Sequence, residues 1–304
     1  MELMNPPRPS AAGRRAAHPG AVRPGPPGVP SGVPSGTGRS TGHPAPPGDA
    51  PTAVVDCHVW LSRVPAEPVL RFELLDEAER ARCSRFVNGR DLALFVTGRT
   101  LAKSAVGLLA GVAPEEVLLR ALCPDCGGPH GKPWVEGKAA GWELSLSHSR
   151  DVVAVAVTYG HPVGVDVEYF VPQAPPGIPA EYELVLTPAE RLMVESLPIE
   201  RQASACLTLW TRKEAVLKAT GEGLNTSMES FTVSPASAPP ELIAWHGPSA
   251  SGRPALALAD LPRLGDCHGA LAVTGARTAA LAVHTGAELA PGSALAARPV
   301  APAP

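Results

Sequence analysis

Apolar positions along this chain change period several times, and each change marks an element. The run Val152-Val153-Ala154-Val155-Ala156-Val157-Thr158-Tyr159 is apolar almost throughout, which predicts a strand over 152–159 buried on both faces. On either side the pattern alternates, in Leu144-Ser145-Leu146-Ser147 and in Val163-Gly164-Val165-Asp166-Val167-Glu168. Period two predicts strands over 142–147 and 164–168, with Gly160-His161-Pro162 turning the chain between the second and third. Helical spacing occupies 75–86, rich in Glu, Arg and Ala, and 89–110, where Phe95, Ala102, Ala105 and Leu109 lie near one stripe. Arg99 and Lys103 share another face. Thr187-Pro188-Ala189-Glu190 combines an N-cap, a first-turn proline and a capping-box acid, so a helix runs from there towards Ser196. A further helix is predicted over 200–220, stopped by Gly221. Short β-like runs fall at 53–61, 231–233, 241–245, 255–258 and within 269–284, while 123–133 is turn-rich. Without regular strand–helix alternation, the fold class is α+β rather than doubly wound.

Composition trims the folded part. Residues 1–50 are dominated by Pro, Gly, Ser, Ala and Arg and cannot offset the entropy of ordering, so they are expected to be disordered. A second tail is expected over 289–304. Lys and Arg total 26 against 29 Asp and Glu, a net charge of -3, which argues against a dedicated nucleic-acid or membrane-surface protein. The longest apolar stretch, 92–110, carries Arg99 and Lys103 and is a poor membrane span. No secretory signal is recognisable, and six cysteines are too few for a disulfide framework, so a cytoplasmic location is expected.

Candidate chemistry sits in three places. Asp166 and Glu168 project from one face of their strand, opposite Val163, Val165 and Val167, which puts them at the rim of a packed sheet. In Trp210-Thr211-Arg212-Lys213-Glu214-Ala215-Val216-Leu217-Lys218, Glu214 and Lys218 lie four apart on one helix face. Alone, the first is most often a solvated acidic edge and the second a surface ion pair. Together they offer three carboxylates and a lysine, the set that a hard divalent cation and an anionic phosphate need when held side by side. Third, Ser147-His148-Ser149 ends a strand, either offering donors to an anion or capping the strand. A Ser–His nucleophile pair is a poor reading, because adjacent residues in a strand face opposite ways.

Gly131-Lys132-Pro133, the Leu-Ser-Leu-Ser-His-Ser run, Gly-Val-Asp-Val-Glu and Trp-Thr-Arg-Lys-Glu-Ala-Val-Leu-Lys occur here in an order and spacing that resembles the Sfp-type 4′-phosphopantetheinyl transferases. The resemblance spans about residues 80–224. It implies two similar α/β halves about a pseudo-twofold axis, 51–160 and 161–288, with the active site between them in a monomer. It implies transfer of the phosphopantetheine arm of coenzyme A to a serine of an apo acyl, polyketide or peptidyl carrier protein, releasing adenosine 3′,5′-bisphosphate, as in a holo-[acyl-carrier-protein] synthase. By the same resemblance Asp166, Glu168 and Glu214 hold Mg²⁺, and Arg82, Arg99, Lys132, Ser147, His148 and Lys218 contact coenzyme A. Glu214 and Lys218 are the catalytic candidates, with Glu214 removing the serine proton directly or through water. Val165 and Val167 stand where isoleucines are common, and Leu144 where an aromatic often stands.

Cys123-Pro124-Asp125-Cys126-Gly127-Gly128-Pro129-His130 gives C-x₂-C-x₃-H spacing compatible with a structural Zn²⁺ that still lacks a fourth ligand. Cys57-His58 and Cys267-His268 are candidates by type, and a tight turn with two thiols is the favoured reading. Two other functions compete: a metal-dependent phosphodiesterase or nuclease using the same carboxylates on water, and a zinc-knuckle interaction module that leaves the Trp210–Lys218 pattern unexplained.

Overall fold

The computed structural model describes residues 54–122, 128, 131–171, 176–223, 226–246 and 252–289. The predicted N-terminal tail, residues 290–304 and the Cys123, Cys126 and His130 knuckle lie outside them. In chain order the elements are β1 (Val54–Arg63), α1 (Glu77–Cys83), α2 (Gly89–Ala110), β2 (Leu118–Ala121), β3 (Pro133–Glu136), β4 (Trp142–Ser149), β5 (Val152–Tyr159) and β6 (Val163–Tyr169). After these come α3 (Pro188–Glu195), α4 (Ile199–Thr220), β7 (Phe231–Val233), β8 (Leu242–Trp245), β9 (Leu256–Asp260), β10 (Cys267–Thr274) and β11 (Thr278–Thr285).

Two sheets carry the architecture, a four-stranded one ordered β11-β1-β5-β4 and a three-stranded one ordered β6-β10-β9. All their pairings are antiparallel except β1 with β11, which brings a late strand back beside the first described one. Alternation in β5 explains the layering. Val153, Val155 and Val157 face α2 in a core with Trp60, Ala102, Ala105, Val106 and Leu144. Val152, Ala154 and Ala156 face the other way, onto Val163, Val165 and Val167 of β6 and Leu271 and Val273 of β10. The far side of β10 presents Ala270 and Ala272 to Leu209, Val216 and Leu217 of α4. The result is helix, sheet, sheet, helix, with three apolar seams in which each fully buried valine contributes on the order of 1.5–3 kcal/mol.

Most predicted elements are found, and the differences have local causes. The first helix is shorter than 75–86 because Asp76 takes the N-cap, accepting from the Glu79 amide while the Glu79 side chain accepts from the Asp76 amide. The 269–284 run splits into two strands at Gly275, whose φ of 78° makes the turn. Strands β2 and β3, only 4 residues each, flank the turn-rich segment and lack enough alternation to be read from sequence. By length and composition α2 could cross a membrane, yet its apolar face is spent on the four-stranded sheet.

Candidate active site

The site is organised where β4 and β6 meet without sharing a backbone ladder. Each is an edge strand of its own sheet, and side-chain hydroxyls bridge the gap. Val165 N donates to Ser145 Oγ (3.0 Å), Val167 N to Ser147 Oγ (3.3 Å) and Tyr169 N to Ser149 Oγ (3.1 Å). Two of these serines pass the bond on, Ser147 Oγ to Asp166 Oδ1 (2.9 Å) and Ser149 Oγ to Glu168 Oε2 (2.8 Å). The alternating serines, of which Ser147 and Ser149 were read as donors to an anion or as a strand cap, instead bond the strand carrying the acids and orient both carboxylates.

Helix α4 closes over the same acids. Gly164 lies so near it that a Cβ there would stand 2.0 Å from the Ala215 carbonyl oxygen and 2.4 Å from the Ala219 amide nitrogen, so only glycine permits the approach. The acids lie on an edge strand as expected, but this contact encloses Asp166, which is 1% exposed, while Glu168 stays partly exposed. Lys218 reaches across to Asp166 Oδ1 at 2.6 Å and to Ser147 Oγ at 3.1 Å, replacing the i,i+4 surface pair with Glu214 that the helix spacing allowed. Glu214 is buried too, within the field of Lys218 and Asp166.

The electrostatics are those of crowded, desolvated carboxyls. Burial, and then the charge of Asp166, pushes Glu168 up to about 7. Glu214 is pushed up to about 7 by burial, opposed by Lys218 and reinforced by Asp166. Burial and the Lys218 charge hold His148 below the usual imidazole range. Asp166 Oδ2 is buried with no hydrogen-bond partner among the described residues. Among those residues no group of three or more His, Cys, Asp or Glu side chains is arranged to hold a metal ion. The donor set nevertheless fits a hard divalent cation: all oxygen, mutually repelling, with an orphaned carboxylate atom that a cation would satisfy.

The remaining candidates divide into near and far. Ser147 is 2% exposed, and its hydroxyl has no hydrogen-bonding position left, having donated once and accepted twice. His148 points from β4 to the opposite side from Ser147, within the field of Asp91, Lys218 and Asp166. Lys132 sits beyond the C-terminal end of α4, donating to Ala219 O at 2.9 Å, with its pKa lowered by burial. It lines a cavity of about 530 Å³ with Glu143, Gly221 and Arg253. Arg99 and Arg82 form a separate group around Phe95, their guanidinium carbons 5.7 and 5.0 Å from its ring centre. Glu79 approaches Arg99 Nε at 3.8 Å and Lys103 Nζ at 2.8 Å.

Sequence reasoning missed two motif residues that serve the scaffold. Lys213, given no role of its own in the motif, is fully buried and donates to the carbonyls of Val185, Met228 and Phe231. It also pairs with Glu190, the capping-box acid, at 2.6 Å. Arg212 is equally buried, bonded to both oxygens of Asp260 and to the carbonyls of Ser234, Pro235 and Ala238. The available signal was their position within an otherwise apolar helix face.

Helix α4, laid on β6, buries a lysine beside carboxylates, a set of groups chemically suited to an anionic phosphate next to a hard cation. Residues 162–267, which include Asp166, Glu168, Glu214 and Lys218, match the model of the 4′-phosphopantetheinyl transferase superfamily. Over 176 residues the chain is 31% identical to the 4′-phosphopantetheinyl transferase HetI of Nostoc sp., covering 56% of this chain and 70% of that protein. It is 30% identical over 166 residues to the 4′-phosphopantetheinyl transferase psf-1 of Bacillus pumilus, covering 55% and 64%. It is 24% identical over 155 residues to a 4′-phosphopantetheinyl transferase of Bacillus subtilis, covering 51% and 64%. In the last two the match spans slightly less than two thirds of the relative. The chain belongs to the 4′-phosphopantetheinyl transferase superfamily.

Proposed function

We propose that the protein transfers the 4′-phosphopantetheine arm of coenzyme A to a serine of an apo carrier protein of the acyl, polyketide or peptidyl type. The product is adenosine 3′,5′-bisphosphate, and the reaction is Mg²⁺-dependent. The observation that carries this reading is the convergence of Asp166, Glu168, Glu214 and Lys218 between β6 and α4. The serine hydroxyl oxygen bonds to the phosphorus next to pantetheine as the bond from that phosphorus to the bridging oxygen breaks, and the bridging oxygen leaves with the adenosine bisphosphate. Such a displacement needs positioning and charge neutralisation more than covalent help.

Asp166, Glu168 and Glu214 would hold Mg²⁺, which supplies charge neutralisation to the pyrophosphate when bound. Lys218 stabilises the negative charge on the pyrophosphate oxygens. Glu214, with a carboxyl near neutrality, accepts the serine proton as the hydroxyl attacks. His148 and Lys132 bind the coenzyme's phosphates, and Arg99 and Arg82 reach its adenosine end. The arrangement of two similar halves belongs to the same proposal, supported by α2 and α4, each 22 residues long and each covering one sheet. So do a monomeric state and a cytoplasmic location. Incubation with fluorescently labelled coenzyme A, Mg²⁺ and a panel of apo carrier proteins tests the reading. Label on the carrier serine is the expected result; hydrolysis of a phosphodiester with no labelled carrier would select the nuclease alternative.

A further inference from the structure

The three seam serines of β4 make equivalent bonds to β6 but face different neighbours. Ser145, Ser147 and Ser149 each accept one amide hydrogen, from Val165, Val167 and Tyr169, a constant offset that shows the strands running parallel. The residue preceding each amide is the one whose side chain the serine can then address. Before Val165 stands Gly164, with no side chain. Before Val167 and Tyr169 stand Asp166 and Glu168, and both receive a hydroxyl bond. Ser145 is thus a seam bond alone, whereas Ser149 is a seam bond plus a carboxylate bond.

The Ser149 end of the seam is also clamped. Arg150, in the left-handed conformation at φ 51° in the β4–β5 turn, places its guanidinium 3.9 Å from the Tyr169 ring centre. The Tyr169 hydroxyl donates to Asp266 Oδ2 at 3.1 Å. The Tyr169 ring is thus held on its face and at its hydroxyl, and its amide donates to Ser149 Oγ at 3.1 Å. That commits the single Ser149 proton towards Glu168 Oε2, because an oxygen already accepting an amide hydrogen turns its own hydrogen elsewhere.

We propose that Ser149 is a positioning residue, whose hydroxyl holds the Glu168 carboxylate in the orientation in which it joins Asp166 and Glu214 around a divalent cation. The proposal rests on the reading of these three acids as a cation site. Partners of ligating carboxylates set the direction of their lone pairs, and losing one typically weakens metal binding roughly 10–100-fold. Ser147 plays the corresponding part for Asp166, but Lys218 also holds that carboxylate. The only hydrogen bond shown for the Glu168 carboxylate among the described residues is the one from Ser149.

The test uses the full chain stripped of metal with EDTA, and Mn²⁺ binding measured by titration calorimetry. The variants are Ser149→Ala, Ser149→Thr, Ser149→Val and Ser145→Ala. Thr and Val have nearly the same shape and differ in the hydroxyl, so that pair keeps the test decisive should Ser149→Ala fold poorly. Ser149→Ala and Ser149→Val are expected to bind Mn²⁺ roughly 10–100-fold more weakly. Ser149→Thr and Ser145→Ala are expected to stay close to the unmodified protein. The Mg²⁺ concentration for half-maximal turnover should rise in the first pair and not in the second. Ser149→Val binding as tightly as Ser149→Thr, or Ser149→Ala no weaker than Ser145→Ala, would overturn the assignment while leaving the cation site intact. Absence of Mn²⁺ binding by the unmodified protein would instead sink the cation reading, and this proposal with it.

Discussion

Replacing Glu214 by Gln should stabilise the metal-free protein at alkaline pH while removing its activity. Burial raises the Glu214 carboxyl from its ordinary 4.5 to about 7. A carboxyl with a higher pKa folded than unfolded makes the folded state bind more protons. Stability is therefore retained below about pH 4.5 and falls as pH rises towards 7. Once the group is ionised in place, the cost reaches about 3 kcal/mol. Gln has the shape and neutrality of the protonated acid and escapes that cost. In a protein of this size the difference corresponds to a melting temperature on the order of 5–10 °C higher for Glu214→Gln at pH 8. The assay is calorimetric melting of both proteins in EDTA from pH 5 to 8.5, using their difference so that unrelated titrations cancel. The gap should narrow steadily as pH falls from 8 to 5, and added Mg²⁺ at pH 8 should raise the unmodified protein far more than the variant. A gap that is the same at pH 5 and pH 8, or a variant that melts lower at pH 8, would refute the argument that Glu214 is held desolvated among like charges.

Lys218→Met strands the Asp166 carboxylate without its 2.6 Å partner, so urea denaturation should show a loss of about 3–5 kcal/mol. Much of that loss should return in the Asp166→Asn, Lys218→Met double variant, with turnover absent in both. Gly164→Ala introduces a methyl into the Ala215 carbonyl; overpacking of about 1–3 kcal/mol or more is expected, and any folded fraction should have lost transfer because α4 is pushed off the acids. Lys213→Met should also cost about 3–5 kcal/mol by leaving Glu190 unpaired. Unlike the Lys218 variant, its folded fraction should turn over at a near-normal kcat, which active-site titration with labelled coenzyme A would check.

Period and local chemistry made much of this protein legible in one dimension. The uniformly apolar β5, the helix from Gly89 to Ala110, the Thr187 capping box and the Gly221 stop depend on neighbours within a few residues, and they lie where the pattern put them. The grouping of Asp166 and Glu168 with Glu214 and Lys218 was legible for a different reason: each motif alone reads as a solvated face, but together they make the donor set of a cation beside a phosphate, in the motif order of a known family. Tertiary structure decided how those faces meet. Whether Lys218 joins Glu214 or Asp166 depends on how close α4 comes to β6, and that distance depends on the missing side chain of Gly164. Lys213 and Lys218 are indistinguishable by type, yet one is enclosed by three carbonyls and Glu190 while the other faces the acids, because α4 presents them to different partners. The seam serines are the clearest case. A hydroxyl in an alternating strand has no assigned partner until a second sheet edge arrives, and only then does its single proton acquire a direction.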